Sequence, residues 1–242
     1  MRSIGVDLAW GGRRPSGVAV LDPEGRVVDE GWATSDDELL GFLAGHDAAG
    51  AVLALDAPLV VTNPAGTRRG CEAELQRRYG RVGAGPYPTN LRLLRGRVRA
   101  MELVARSPRP YLTVPRDPGR QPGWWAVEVF PAPALVELGR LERAVRYKKG
   151  PPEARRAGLR AVAAVLGGLA GADPPLRLDP AGRLARELGR LGTLRGAGLK
   201  AVEDLADAHV CAYVGLWWWA RGRAATLVAG DDASGAILVP RP

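Results

Sequence analysis

The chain has 242 residues, 46% of them apolar, with 34 basic against 26 acidic side chains and a net charge of +8. No apolar run approaches the ~18 residues of a membrane span, and two cysteines, Cys71 and Cys211, are too few for a disulfide framework. The totals therefore point to a cytoplasmic globular protein with free thiols, no secretory leader and an anionic partner, nucleic acid first, although an Arg-, Ala-, Gly- and Pro-rich composition is also what a GC-rich genome produces.

Residues 3–9 read as a strand, Gly11 to Ser16 as a Gly- and Pro-rich turn, and Gly17 to Asp22 as a second strand. Asp22-Pro23-Glu24-Gly25 is a tight turn into a third strand, Val27 to Trp32. Turns this short allow only antiparallel neighbours. Thr34-Ser35-Asp36-Asp37-Glu38 carries capping side chains for a helix ending near Gly45. Ala51 to Ala57 follows as an apolar strand, parallel to the sheet it rejoins. A helix is expected over Gly70–Tyr79, a loop over Gly83–Asn90, and a helix over Leu91–Arg106 with Leu94, Val98, Met101 and Val104 inward. After a loop, Trp124 to Phe130 is a strand stopped by Pro131 and Pro133. Residues 150–195 carry two helices with a break at Pro174-Pro175, Lys200 to Ala220 is a long helix, and Leu227-Val228 and Ala236 to Val239 are short terminal strands or extended tails. The expected architecture is α/β: one domain over 1–242, a mixed sheet of three antiparallel strands and then parallel ones, helices on both faces, and helical insertions at about 62–122 and 150–195.

Acids interrupt the apolar strands. Asp7 lies within Ile4 to Trp10, Asp56 within Val52 to Pro58, and Glu128 within Trp125 to Pro131. Burying an unpaired carboxylate is costly, so each needs a partner. The last helix adds Asp204 and Asp207, which share a face three residues apart. Asp207, in the more apolar surroundings, is the better candidate. Asp7, Asp56, Glu128 and Asp207 are thus expected to converge from three adjacent strands and one helix. Such a group cannot ionise fully without a cation, and its oxygens suit Mg²⁺ or Mn²⁺. Two such ions about 4 Å apart would activate a water and stabilise the leaving oxygen in phosphodiester cleavage.

Element order and acid placement resemble the ribonuclease H-like fold. More specifically, Gly5 to Trp10, Leu55 to Pro58, Arg69 to Leu75, Gly83 to Pro88, Glu128 to Pro131, Tyr147-Lys148-Lys149 and Asp204 to Ala208 make the chain similar to the "domain of unknown function 429" family of predicted nucleases. The resemblance implies a metal-dependent nuclease acting on DNA or RNA, with Lys148, Lys149, Tyr87 and Arg69 contacting substrate. Glu72 and Asp204 are further candidates for the cleft. As surface residues, Glu72 and Glu74 would instead pair with Arg68, Arg77 or Arg78, and Lys148 with Lys149 would hold substrate phosphate, neutralise the acids or form an exposed basic pair. The Gly83–Asn90 loop is read as a lid over substrate or a plain connection.

His209 faces another side of its helix from Asp207 and is expected in the core. His46 is expected at the surface. Three consecutive tryptophans, Trp217, Trp218 and Trp219, cannot share one helix face, so at least one should leave the core and offer a homodimer contact or a base-stacking surface. Two other functions fit the pattern: a nucleotide-dependent phosphotransferase or ATPase of related fold, with Gly11-Gly12 and Ser16-Gly17 cradling phosphate, and a non-catalytic nucleic-acid-binding protein.

Overall fold

Among the described residues seven strands and seven α-helices follow in the order β1 (Arg2–Asp7), β2 (Ser16–Leu21), β3 (Val27–Ala33), α1 (Asp36–His46), β4 (Ala51–Leu55), α2 (Gly70–Tyr79), α3 (Arg99–Arg106), β5 (Trp124–Val129), α4 (Pro131–Leu138), α5 (Pro152–Gly168), α6 (Arg183–Gly189), α7 (Gly196–Arg221), β6 (Thr226–Asp231) and β7 (Gly235–Pro240). These come from a computed structural model that describes residues 1–9, 14–113 and 116–242. Trp10 and the Gly11-Gly12 turn lie outside the described residues.

The first three strands pair antiparallel, as their short turns require. The sheet then continues with parallel strands in the order β3-β2-β1-β4-β5-β7-β6, and only β6 pairs antiparallel at the far edge. β1, β4 and β5 are therefore neighbours, and their acids gather at the carboxyl ends of parallel strands. In open α/β sheets that is where ligands bind.

Side chains alternate across the sheet, and each face has its own core. Ile4, Val6, Leu53 and Leu55 pack with Leu39 and Leu43 of α1 and Leu103 of α3. Val52, Ala54, Val127 and Val129 pack on the opposite face with α7, α5 and α6. α1 starts where its sequence signals: the Ser35 hydroxyl accepts from the Glu38 N–H at 3.1 Å.

α7 lies unusually close to the sheet. A Cβ added at Gly5 would stand 2.0 Å from the Ala208 carbonyl oxygen, and one at Gly17 would stand 2.1 Å from that of Asp204. Two missing side chains let helix backbone rest on strand backbone.

Two elements differ from the sequence reading. The helix expected from Leu91 begins only at Arg99, because Arg95 and Gly96 take positive φ and turn the chain out of helical geometry. Its inner face is Ala100, Leu103 and Val104. Pro131 does more than end β5: it opens α4 near its first position, where its missing N–H has no partner to lose. The C-terminal segments form a full hairpin inside the sheet. Trp217 and Trp218 are both buried in this chain's own core, with Trp218 edge-on to Trp125 at 6.2 Å, and Trp219 is the ring left partly open. The two cysteines are free and buried. Among the described residues no helix is long and apolar enough to cross a membrane.

The contact of α7 with β1 gives a paired prediction. Gly5→Ala must push backbone from backbone and should cost roughly 3 kcal/mol or more, or prevent folding. Gly41→Ala, on the exposed side of α1 with nothing within 4 Å of its added Cβ, should stabilise by up to about 1 kcal/mol through helix propensity. Urea melts of the two variants beside wild type measure both.

Candidate metal centre

Asp7 ends β1, Asp56 follows the last residue of β4, and Asp207 projects from α7. One carboxylate oxygen from each lies within 4.8 Å of the other two. The geometry follows from the fold: Asp7 and Asp56 point to the α7 face, and Gly5 and Gly17 bring α7 down to meet them.

One ammonium stands among the three acids. Lys148 Nζ is 2.7 Å from Asp207 Oδ2 and 3.6 Å from Asp56 Oδ2. The Tyr147 hydroxyl donates to Asp207 Oδ1 at 2.5 Å. Asp7 Oδ2 is buried with no hydrogen-bond partner among the described residues. Burial, then the charges of Asp56 and Asp207, hold the Asp7 carboxyl well above its ordinary range against the pull of Lys148. Burial likewise pushes Asp56 up to about 6, with Lys148 opposing and Asp207 and Glu128 adding to the rise. Burial pulls the Lys148 ammonium down, but Asp207, Tyr147 and Asp56 together carry it above its usual value.

Glu128 does not join the three. The register sets Val6 against Leu55 and Leu55 against Glu128, so Glu128 shares their face of the sheet, away from α7. There Arg69 clamps it, with Nη1 to Oε2 at 2.8 Å and Nη2 to Oε1 at 2.6 Å, while the Leu59 N–H donates to Oε2 at 3.1 Å. Arg69, expected to contact substrate, spends its guanidinium on this clamp and on Glu72, whose Oε1 accepts from Nε at 2.8 Å. Glu72 is buried and not on a solvated helix face, and it also accepts from the Thr89 N–H at 2.9 Å. Glu74 does pair with Arg78, at 3.1 Å.

Asp204 is held apart by Lys200, 2.5 Å away and one helical turn earlier. Lys200 also reaches Glu203 at 2.6 Å. Burial lowers its ammonium's affinity for a proton, but the charge of Asp7 and the hydrogen bonds to Asp204 and Glu203 raise it overall. His209 is a core residue: Nδ1 faces the Leu205 carbonyl at 2.8 Å and Nε2 faces Glu30 at 3.1 Å. His46 pairs with Asp29 at 2.8 Å.

A cavity of about 680 Å³ opens beside the acids, bordered by Asp56, Lys148, Tyr147, Arg69, Tyr87 and Lys149 among others. Lys149 Nζ donates to the Tyr87 hydroxyl at 3.0 Å. Tyr147 and Lys200 are the two residues near the acids that sequence reasoning missed. The i, i+4 spacing of Lys200 to Asp204 was available as a signal, whereas nothing in the sequence aimed the Tyr147 hydroxyl at Asp207.

The raised acids make a pH prediction. A carboxyl lifted in the folded state favours folding while protonated, and that contribution fades as pH climbs from about 4, the unfolded Asp value, through the folded one. Asp56 at about 6 lies in that window, and Asp7 is lifted in the same direction. In chelator, Asp7→Asn should therefore gain stability relative to wild type as pH rises from 4 to 8, measured by urea melts along the series. A gain that shrinks with rising pH would mean Asp7 is compensated in the metal-free fold.

The family model described as protein of unknown function (DUF429) matches residues 5–233. Comparison with curated proteins finds no match. Comparison with solved structures finds none either. With the family model covering nearly the whole sequence, the chain belongs to the family described as protein of unknown function (DUF429).

Proposed function

We propose that this chain is a metal-dependent phosphodiesterase acting on nucleic acid, built on a ribonuclease H-like sheet, with Asp7, Asp56 and Asp207 holding Mg²⁺ or Mn²⁺. The observation that carries the reading is the buried, unpartnered Oδ2 of Asp7 inside a group of three carboxylates, of which Lys148 pairs with only the other two. An all-oxygen donor set with a charge left over suits a hard divalent cation. Acids carried by β1, by the end of β4 and by a long helix against an antiparallel-then-parallel sheet support the fold assignment.

A divalent ion in this centre supplies polarisation of the phosphodiester and a nucleophilic water at neutral pH. The chain's own residues do the rest. The Tyr147 hydroxyl hydrogen-bonds one oxygen of Asp207 and the Lys148 ammonium ion-pairs with the other. Lys148, about a third exposed, offers its remaining N–H donors to a phosphate oxygen entering from the cavity. Glu128, moved out of the ligand set, works with Arg69 and Glu72 to hold the cavity wall.

A second reading rests on Lys148 itself. With Nζ already between Asp207 and Asp56, the ammonium serves as the resident cation and the protein binds nucleic acid without turning it over.

Two measurements decide between them. Mn²⁺ should stabilise wild type, by about 2.7 kcal/mol at a hundred times its Kd, and should leave Asp7→Asn unmoved. In Mg²⁺ or Mn²⁺, wild type should cleave at least one of single-stranded, duplex, hybrid or branched substrates, and Asp7→Asn should lose roughly 100-fold or more of that rate, the scale at which removal of a positioned electrostatic group is felt. Wild type that neither gains stability nor cleaves removes the phosphodiesterase and leaves the binding protein.

A further inference from the structure

The cavity beside the acids, about 680 Å³, has the volume of a single small-ligand site, for which about 300–1,000 Å³ is usual. Its floor reaches the acids through Asp56 and Lys148, and Phe130, Val145 and Ile237 give it apolar walls. At its border Tyr87 is 77% exposed, the most open large apolar side chain in the described residues.

Tyr87 is not loosely held. It sits in the middle of the Gly83–Asn90 loop, whose two ends are pinned. The Ala84 N–H donates to the Tyr79 carbonyl at 3.0 Å, and the Thr89 N–H donates to Glu72 at 2.9 Å. The neighbouring loop leans on it through the Ala144 N–H and the Val82 carbonyl at 2.8 Å. Lys149 stands against the ring, 4.7 Å from its centroid, as well as on its hydroxyl. Lys148 and Lys149 are adjacent in sequence, yet one faces the acids and the other the rim. The border thus offers an aromatic ring and a cation together, and a second cation lies deeper beside the carboxylates.

We propose that this cavity receives one unpaired nucleotide unit, its base against the Tyr87 ring and its phosphate between Lys149 and Lys148. The substrate class is then single-stranded nucleic acid or a free nucleotide, and not an intact duplex, whose bases are stacked away from such a ring. The assignment rests on the phosphodiesterase reading for what becomes of the ligand, but not for its binding.

Binding to the full chain in Ca²⁺, followed by anisotropy, tests it. The probes are a short labelled single strand, the same sequence as a blunt duplex, and unlabelled nucleoside monophosphate as competitor. The single strand should bind about tenfold tighter than the duplex, and Tyr87→Ala should weaken it about tenfold, the scale of one stacked base, while Tyr87→Phe stays within about twofold. Lys149→Ala should weaken it severalfold and flatten the salt dependence. Displacement by the monophosphate identifies a free nucleotide as a sufficient ligand, and displacement by unlabelled strand alone identifies a polymer. Duplex binding as tight as single-strand binding, or Tyr87→Ala equal to wild type, overturns the proposal. Asp7-dependent cleavage without any Tyr87 effect would remove this proposal and keep the phosphodiesterase. Tyr87-dependent binding without cleavage in any metal would do the reverse.

Discussion

Negative charge crowded at one point governs the design of this molecule. Three carboxylates offer oxygens within 4.8 Å of one another, and like charges that close cannot all ionise without compensation. The surrounding structure is arranged to hold them there anyway. Gly5 and Gly17 let α7 rest on β1 and β2 backbone to backbone, which fixes the height of Asp207 above the sheet. Gly158 of α5 does the same for the opposing loop: a Cβ there would stand 2.2 Å from the Arg146 carbonyl oxygen, so its absence lets Tyr147 and Lys148 come in. Fixed backbone, not side-chain adjustment, sets the spacing, and interiors packed this densely transmit strain and do not absorb it.

A second ionic group does different work. Arg69, Glu72 and Glu128 are all buried, and every guanidinium nitrogen of Arg69 reaches a carboxylate oxygen. Such networks hold geometry when every member is satisfied. Here the network ties the segment after β4, the start of α2, the end of β5 and the Thr89 end of the Tyr87 loop into one unit. The acid on β5 thus braces the cavity, and Asp56, at the end of β4, borders it beside Asp7 and Asp207. Alternation across the sheet separates the two roles.

The sheet order was legible because short turns and one capped helix leave few ways to connect the first four strands. Asp7, Asp56 and Asp207 were legible because each interrupts an apolar run. Glu128 interrupts one too, and local sequence could not show that it stands opposite Leu55 and not Asp56. That is a fact of register between distant segments. Glu72 was misjudged for a related reason: its partner Arg69 is near in sequence, but the burial comes from the Thr89 loop folding over both. The early start given to α3 failed on Arg95 taking positive φ, which a non-glycine residue seldom does. Of the three tryptophans Trp219 is the one left partly open, and the other two both find cover because a helix flanked by a sheet on one side and by α5 and α6 on others has several inner faces.

Lys148 changes what assembly of the acidic group requires. In many metal proteins the ligands repel one another until the ion arrives, so folding and loading are one event. Here a positive charge tethered to the chain is already seated against Asp207. Chain collapse need not wait for an inorganic ion, and an ion that enters later must share ground with a resident. Occupancy of the proposed centre would then be decided by competition between two cations, one of which can never diffuse away.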